Sequence, residues 1–98
     1  MAINSRQRAQ LRGLGSKLDP IFQIGKEGIG PNLAEQVDLA LEARELIKFT
    51  VLETAPMDCR EAADTLAPRV HADIVQCIGR KFVLYRESKD NKKIELCK

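Results

Sequence analysis

Ninety-eight residues, 44% hydrophobic and 31% charged, are enough for one domain with a single core and too few for a catalytic cleft between domains. There is no run of about 18 apolar residues, and MAINSRQRAQ at the N-terminus has no apolar leader, so a membrane-spanning helix is excluded and a cytoplasmic location is expected. The net charge of +2 hides a segregation: residues 1–26 carry +4, residues 27–73 carry −6 and residues 74–98 carry +4.

The first element is a helix from Ser5, a good N-cap, to Gly15. On its wheel Leu11, Leu14 and Leu18 gather on one side, while Arg8 and Arg12 stack at i, i+4 on another. Pro20 introduces a short strand at 21–24, which runs directly into the glycine-rich stretch QIGKEGIGPN (23–32). A second helix spans Pro31 to Arg44. Proline suits its first position, where an N–H would have no helical partner. Leu33, Ala34, Val37, Ala40 and Leu41 form its apolar face, and Glu35, Asp38 and Glu42 its solvated one.

LIKFTVL (46–52) alternates as a half-buried strand does. The third helix starts near Asp58 with Glu61 in capping-box position, and continues through Ala62, Ala63, Leu66 and Val70. Pro68 removes one donor inside it, so its last turn is expected to kink or shorten. IVQCI (74–78) and KFVLYR (81–86) are strands joined by Gly79-Arg80, a type II′ hairpin signal. The polar tail 87–98 is expected to fray apart from a short edge strand near 94–96. The order αβαβαββ predicts an α/β (α+β two-layer) domain: a four-stranded mixed sheet with helices mainly on one face, parallel pairing in both strand–helix–strand units, and one strand of opposite sense from the hairpin.

The glycine stretch is the candidate working part. Between a strand and a helix N-terminus it presents N–H groups where the helix dipole is positive, which suits a phosphate, although a turn that merely joins two elements has the same composition. Neither the triphosphate loop nor the dinucleotide fingerprint is present. What remains is a Gly-x-x-Gly, Gly25-Lys26-Glu27-Gly28, the kind of loop that clamps nucleotide backbone in hnRNP-K-homology domains. Glu27 would have to point away from a phosphate, and Lys26 would supply the point charge.

Enzyme chemistry finds no constellation. His71 is the single histidine, and a Cys59–His71 pair has no further partner. Cys59, Cys77 and Cys97 are 18 and 20 positions apart, which is neither a disulfide framework nor a metal knuckle. No catalytic residue, metal or cofactor is therefore assigned.

Three blocks in one order resemble a known family: the IGK-x-G loop at 24–28, AL-x-x-x-ELIK at 40–48 and VQ-x-IG-x-x-x-VLYR at 75–86. They are similar to the CRM (chloroplast-splicing-and-ribosome-maturation) domain in its stand-alone bacterial form. The resemblance implies a single domain over 1–98, a fold similar to the C-terminal domain of translation initiation factor three, and RNA binding, with rRNA of large-ribosomal-subunit precursors as the partner and ribosome assembly as the role. Gly30 stands where the family tends to have threonine, which weakens the N-cap of the second helix. His71 stands where it tends to have glycine, and histidine tolerates the left-handed backbone a C-cap requires.

The expected RNA-binding residues are Gly25, Lys26, Glu27 and Gly28 in the loop, Arg6, Arg8, Arg12 and Lys17 around the first helix, and Arg80 and Lys81 at the hairpin. Only four aromatic residues are present, which favours recognition of RNA shape and backbone over base stacking. Tyr85 is expected to pack and Arg86 to pair with a carboxylate at the core edge. A monomer is expected, with ribosomal proteins as further partners and no membrane or small-molecule substrate. The alternative is a protein-interaction adaptor using the acidic middle segment or an exposed sheet face.

Overall fold

The computed structural model describes residues 3–90 and 92–96, so Cys97 lies outside the described residues. Its elements are α1 (Ser5–Gly15), β1 (Phe22–Ile24), α2 (Pro31–Arg44), β2 (Leu46–Val51), α3 (Cys59–Arg69), β3 (Asp73–Ile78) and β4 (Lys81–Tyr85). They form one mixed sheet in the order β1-β2-β4-β3. β1 and β2 pair in parallel, with Ile24 beside Val51, and β4 is antiparallel to both of its neighbours.

The second strand–helix–strand unit differs from expectation: β2 and β3 point the same way, but β4 lies between them. The run Phe82-Val83-Leu84-Tyr85 explains the insertion, because all four side chains are buried and such a strand needs cover on both faces. β3 has Ile78 largely exposed and a register irregularity between Ile74 and Gln76, features suited to an edge.

The cover is divided unequally. On one face Ile47, Phe49, Val51, Phe82 and Leu84 pack with Val37 and Leu41 of α2 and Ala62, Ala63 and Leu66 of α3. On the other face Leu46, Val75, Val83 and Tyr85 pack with Ile3 and Leu11, beneath α1. Two helices thus share one face, as expected, and α1 covers the face that the sequence reading left open. Of the leucines assigned to the inward side of α1, only Leu11 is buried; Leu14 and Leu18 are exposed because Gly15 occupies the contact point. A Cβ on Gly15 would come within 3.3 Å of the Val83 methyls, so the helix lies close to the sheet there.

The helix ends follow local chemistry. Asn4 caps α1 in place of Ser5: its side chain accepts from the Gln7 N–H at 2.8 Å, and the Gln7 side chain accepts from the Asn4 N–H at 3.1 Å. Asp58 caps α3 by accepting from the Glu61 N–H at 2.8 Å. Pro68 is accommodated in the last turn of α3, beyond which His71 adopts φ 55°. The Ala72 N–H bonds the Ala67 carbonyl at 2.9 Å and the His71 N–H reaches that of Pro68 at 3.4 Å, forming a Schellman C-cap.

Among the described residues the C-terminal tail forms no strand, and those residues are held in place rather than frayed. Glu45, in the left-handed region at φ 65° and fully buried, accepts from the backbone N–H groups of Ser88 (2.7 Å), Lys93 (2.6 Å) and Ile94 (2.7 Å). Glu42 accepts from the Ser88 hydroxyl at 2.6 Å and from the amides of Lys89 and Asp90. Burial pushes the Glu45 carboxyl up, but the three amides together outweigh it and hold the group below the usual carboxylate range. The Ser88 hydroxyl and the two amides lower Glu42 in the same way. Ile94 and Leu96 then pack against the Leu11 cluster.

Arg86 behaves as expected, bonding the Asp38 carboxylate, the Asp38 carbonyl and the Val70 carbonyl. Three acids, Asp38 and Glu42 on α2 and Glu45 just beyond it, therefore hold the chain after β4. They were expected to be a solvated face or were given no role.

Candidate nucleic-acid interface

The loop after β1 is a turn closed by the Gly28 N–H to the Gly25 carbonyl at 3.0 Å, which puts Lys26 and Glu27 at an exposed tip. Of the three glycines in the stretch, only Gly28 requires glycine's freedom, with φ 68°. A Cβ there would also meet Pro56 at 3.3 Å and Met57 at 3.4 Å, so the loop rests on the segment that leads into α3. Gln23, Gly25, Lys26, Glu27, Gly28 and Leu33 line a shallow depression between the tip, β1 and the first turn of α2. Gly30 caps α2 without a side-chain hydrogen bond, and Pro31 follows at the first helical position. Leu33 brings the first turn of α2, the positive end of its dipole, to the wall of this depression.

The basic residues fall into two groups. At the loop end of the sheet, the Leu52 N–H bonds the Ile24 carbonyl at 2.9 Å and the Val51 N–H bonds the Arg80 carbonyl at 2.7 Å, so Lys26, Arg80 and Lys81 share that end with β2 between them. Gly79, at φ 59°, turns the hairpin as expected. Arg80 is ion-paired with Glu53 at 2.9 Å, and both side chains are largely exposed. A pair of this kind contributes at most about 1 kcal/mol, so the guanidinium can be drawn to a phosphate at small cost.

The second group lies at the opposite edge. Arg8 and Arg12 of α1 line a groove along β3 whose far wall is α3, contributed by Arg60, Asp64 and Pro68. Asp73 lies in the same groove; burial pushes its carboxyl up, and Arg8 partly opposes that. Arg6 and Lys17 are exposed within and just beyond α1, on the face opposite α2. Arg8 and Arg12 therefore do not flank Lys26: β1 and β3 are the two outer strands, roughly 14 Å apart at the usual strand spacing. Sequence reasoning passed over Arg60 because it lies in the acidic segment. Its position two residues past the Asp58 cap was the available signal, but only the tertiary fold puts it across from Arg8 and Arg12.

The aromatic side chains are committed elsewhere. Phe22 stacks on Phe49 with centroids 5.5 Å apart, Phe49 on Phe82 at 4.4 Å, and Tyr85 is fully buried. Their packing disfavours base stacking on these rings. Cys59 and His71 stand at opposite ends of α3, so they form no nucleophile–base pair, and burial with the Cys77 hydrogen bond pushes the Cys59 thiol up to about 12. Of the surfaces the adaptor reading would use, the second sheet face is covered by α1, and Asp38, Glu42 and Glu45 of the acidic segment are engaged internally.

Comparison with known proteins shows the family and the fold. Residues 3–86 match the model of the CRS1 / YhbY (CRM) domain family. The chain is 45% identical over 94 residues to "Probable RNA-binding protein YqeI" of Bacillus subtilis, covering 96% of this chain and 98% of that protein. It is 33% identical over 76 residues to "CRS2-associated factor 1, chloroplastic" of Zea mays, covering 78% of this chain and 10% of that longer protein. The solution structure of the Staphylococcus aureus protein SAV1595, for which RNA binding is proposed, superimposes with a TM-score of 0.81 at 48% identity, covering 98% of this chain and all of that one.

Proposed function

Because the chain belongs to the CRS1 / YhbY (CRM) domain family, we propose that it is a non-catalytic RNA-binding protein that holds structured rRNA of large-ribosomal-subunit precursors during assembly. The observation that carries this reading is the Gly25–Gly28 turn: an exposed lysine at its tip, opposite an α2 N-terminus with no side-chain cap, in a family whose relatives are named as RNA-binding. A phosphate in the depression would be met by Lys26 and the positive end of α2. Arg80 and Lys81 would hold a second phosphate at the same end of the sheet, and Arg8, Arg12 and Arg60 a more distant strand at the β3 edge. Glu27 shares the turn tip with Lys26 and would turn toward water.

The rRNA assignment draws on the resemblance to stand-alone CRM domains. The test is sedimentation of tagged protein in a cell lysate, wild type beside a Lys26→Asp/Gly28→Asp variant, with every fraction of the ribosome gradient probed. Wild type travelling with large-subunit precursors and the variant left at the top is the expected result. Both forms at the top, or both migrating alike, would overturn the rRNA reading or the role of the loop respectively.

A further inference from the structure

Two thiols meet at the base of α3. Cys59 opens the helix and Cys77 lies on β3 beside Phe82, and their Sγ atoms are 3.1 Å apart, with Cys77 donating to Cys59. Neither is in a disulfide. They differ in access: Cys59 is 6% exposed, whereas Cys77 is half-buried and lines the groove along the β3 edge, where small solutes can reach it. Two sulfur atoms already in contact, one shielded and one open to solvent, match the arrangement of a resolving and a peroxidatic thiol.

We propose that Cys59 and Cys77 form a peroxide-sensitive pair that closes to an intramolecular disulfide, stapling the start of α3 to β3. The Cys77 thiolate attacks a peroxide oxygen and the O–O bond breaks. With hydrogen peroxide, one oxygen stays on sulfur as a sulfenic acid and the other leaves as hydroxide, which takes a proton to become water. The Cys59 sulfur then displaces hydroxide from the Cys77 sulfur. The S–S bond forms, the Cys59 proton joins the hydroxide as a second water, and two thiols have been oxidised by two electrons while peroxide is reduced to two waters.

Burial and the Cys77 hydrogen bond keep Cys59 protonated, which sets the order: Cys77 reacts first and Cys59 follows once an electrophilic sulfur is beside it. The consequence reaches the loop. Cys59 directly follows Asp58, the α3 cap, and the Pro56-Met57 pair on which Gly28 rests. The oxidised form fixes that supporting segment to the sheet, whatever RNA the loop binds.

The experiment uses the full chain carrying Cys97→Ser, so that only these two thiols remain, treated with hydrogen peroxide. The expected product has lost two hydrogen atoms by intact mass, joins the Cys59 and Cys77 peptides in a non-reducing digest, and melts on the order of 10 °C higher until dithiothreitol restores the original value. Adding Cys59→Ser should leave a sulfenic acid on Cys77 that dimedone captures. Oxygen gained without hydrogen lost, disulfide-linked dimers, unreactive thiols, or a lower melting temperature after oxidation would each overturn the proposal.

Discussion

Single side chains in this protein carry consequences larger than their type suggests. Tyr85 is fully buried, and its hydroxyl has no hydrogen-bond partner among the described residues. Burial, with the negative charges of Glu45, Glu87 and Asp73, pushes it up to about 12, so it stays a neutral phenol that has lost water and gained nothing in exchange. An unmade hydrogen bond of this kind costs about 1–3 kcal/mol. Tyr85→Phe should therefore raise the denaturation midpoint, and a fall of more than about 1 kcal/mol in unfolding free energy would show that the hydroxyl is satisfied in solution.

Glu45 is the opposite case, a buried carboxylate with three amide donors. Its folded-state pKa is depressed, so the stability it supplies is complete above the ordinary carboxylate value of about 4.3 and is lost as pH falls through the lower folded-state value. Amide exchange at Ser88, Lys93 and Ile94 should accelerate over that acid window before the core amides do. Synchronous exchange of tail and core would mean that the tail is held by other contacts. None of this was legible in the sequence, where Glu42 read as part of a solvated face and Glu45 was given no role; the amides they bind are more than 40 residues away, which no local pattern announces.

At the scale of elements, the periodicities were informative and the neighbours were not. All seven elements follow from apolar spacing, glycine and proline positions and cap residues, and the Schellman geometry at His71 follows from histidine's tolerance of positive φ. Spacing along the chain says little about which face a helix covers. Leu11, Leu14 and Leu18 share a side of α1, yet only Leu11 reaches the core, because Gly15 sets where the helix touches Val83. The place of β4 could have been read from its own composition: four consecutive buried side chains demand cover on both faces, and hence both the central position and the location of α1. Leu11→Ala should cost about 2–5 kcal/mol, as for other fully buried leucines, and should expose Val83 and Tyr85. A loss below about 1 kcal/mol, read from urea unfolding, would mean that α1 is not an integral layer.

For the molecule as a whole, the basic residues proposed to meet RNA do not form one patch. The loop and hairpin bases occupy one end of the sheet, and Arg8 and Arg12 line the β3 edge with Arg60, which the charge profile had assigned to the acidic segment. The loop itself was legible, because a glycine pair between strand and helix has a local physical meaning; the second site was not, because it is assembled from residues some 50 positions apart. The most direct test of the account is the salt dependence of binding to a structured large-subunit rRNA fragment, followed by fluorescence anisotropy for wild type and Lys26→Ala. If Lys26 holds a phosphate, the variant should bind more weakly to every RNA tried, and its log K against log salt plot should be shallower by roughly 0.7–0.9. Equal affinities and parallel slopes for the two proteins would contradict the claim that this loop is where the RNA is held.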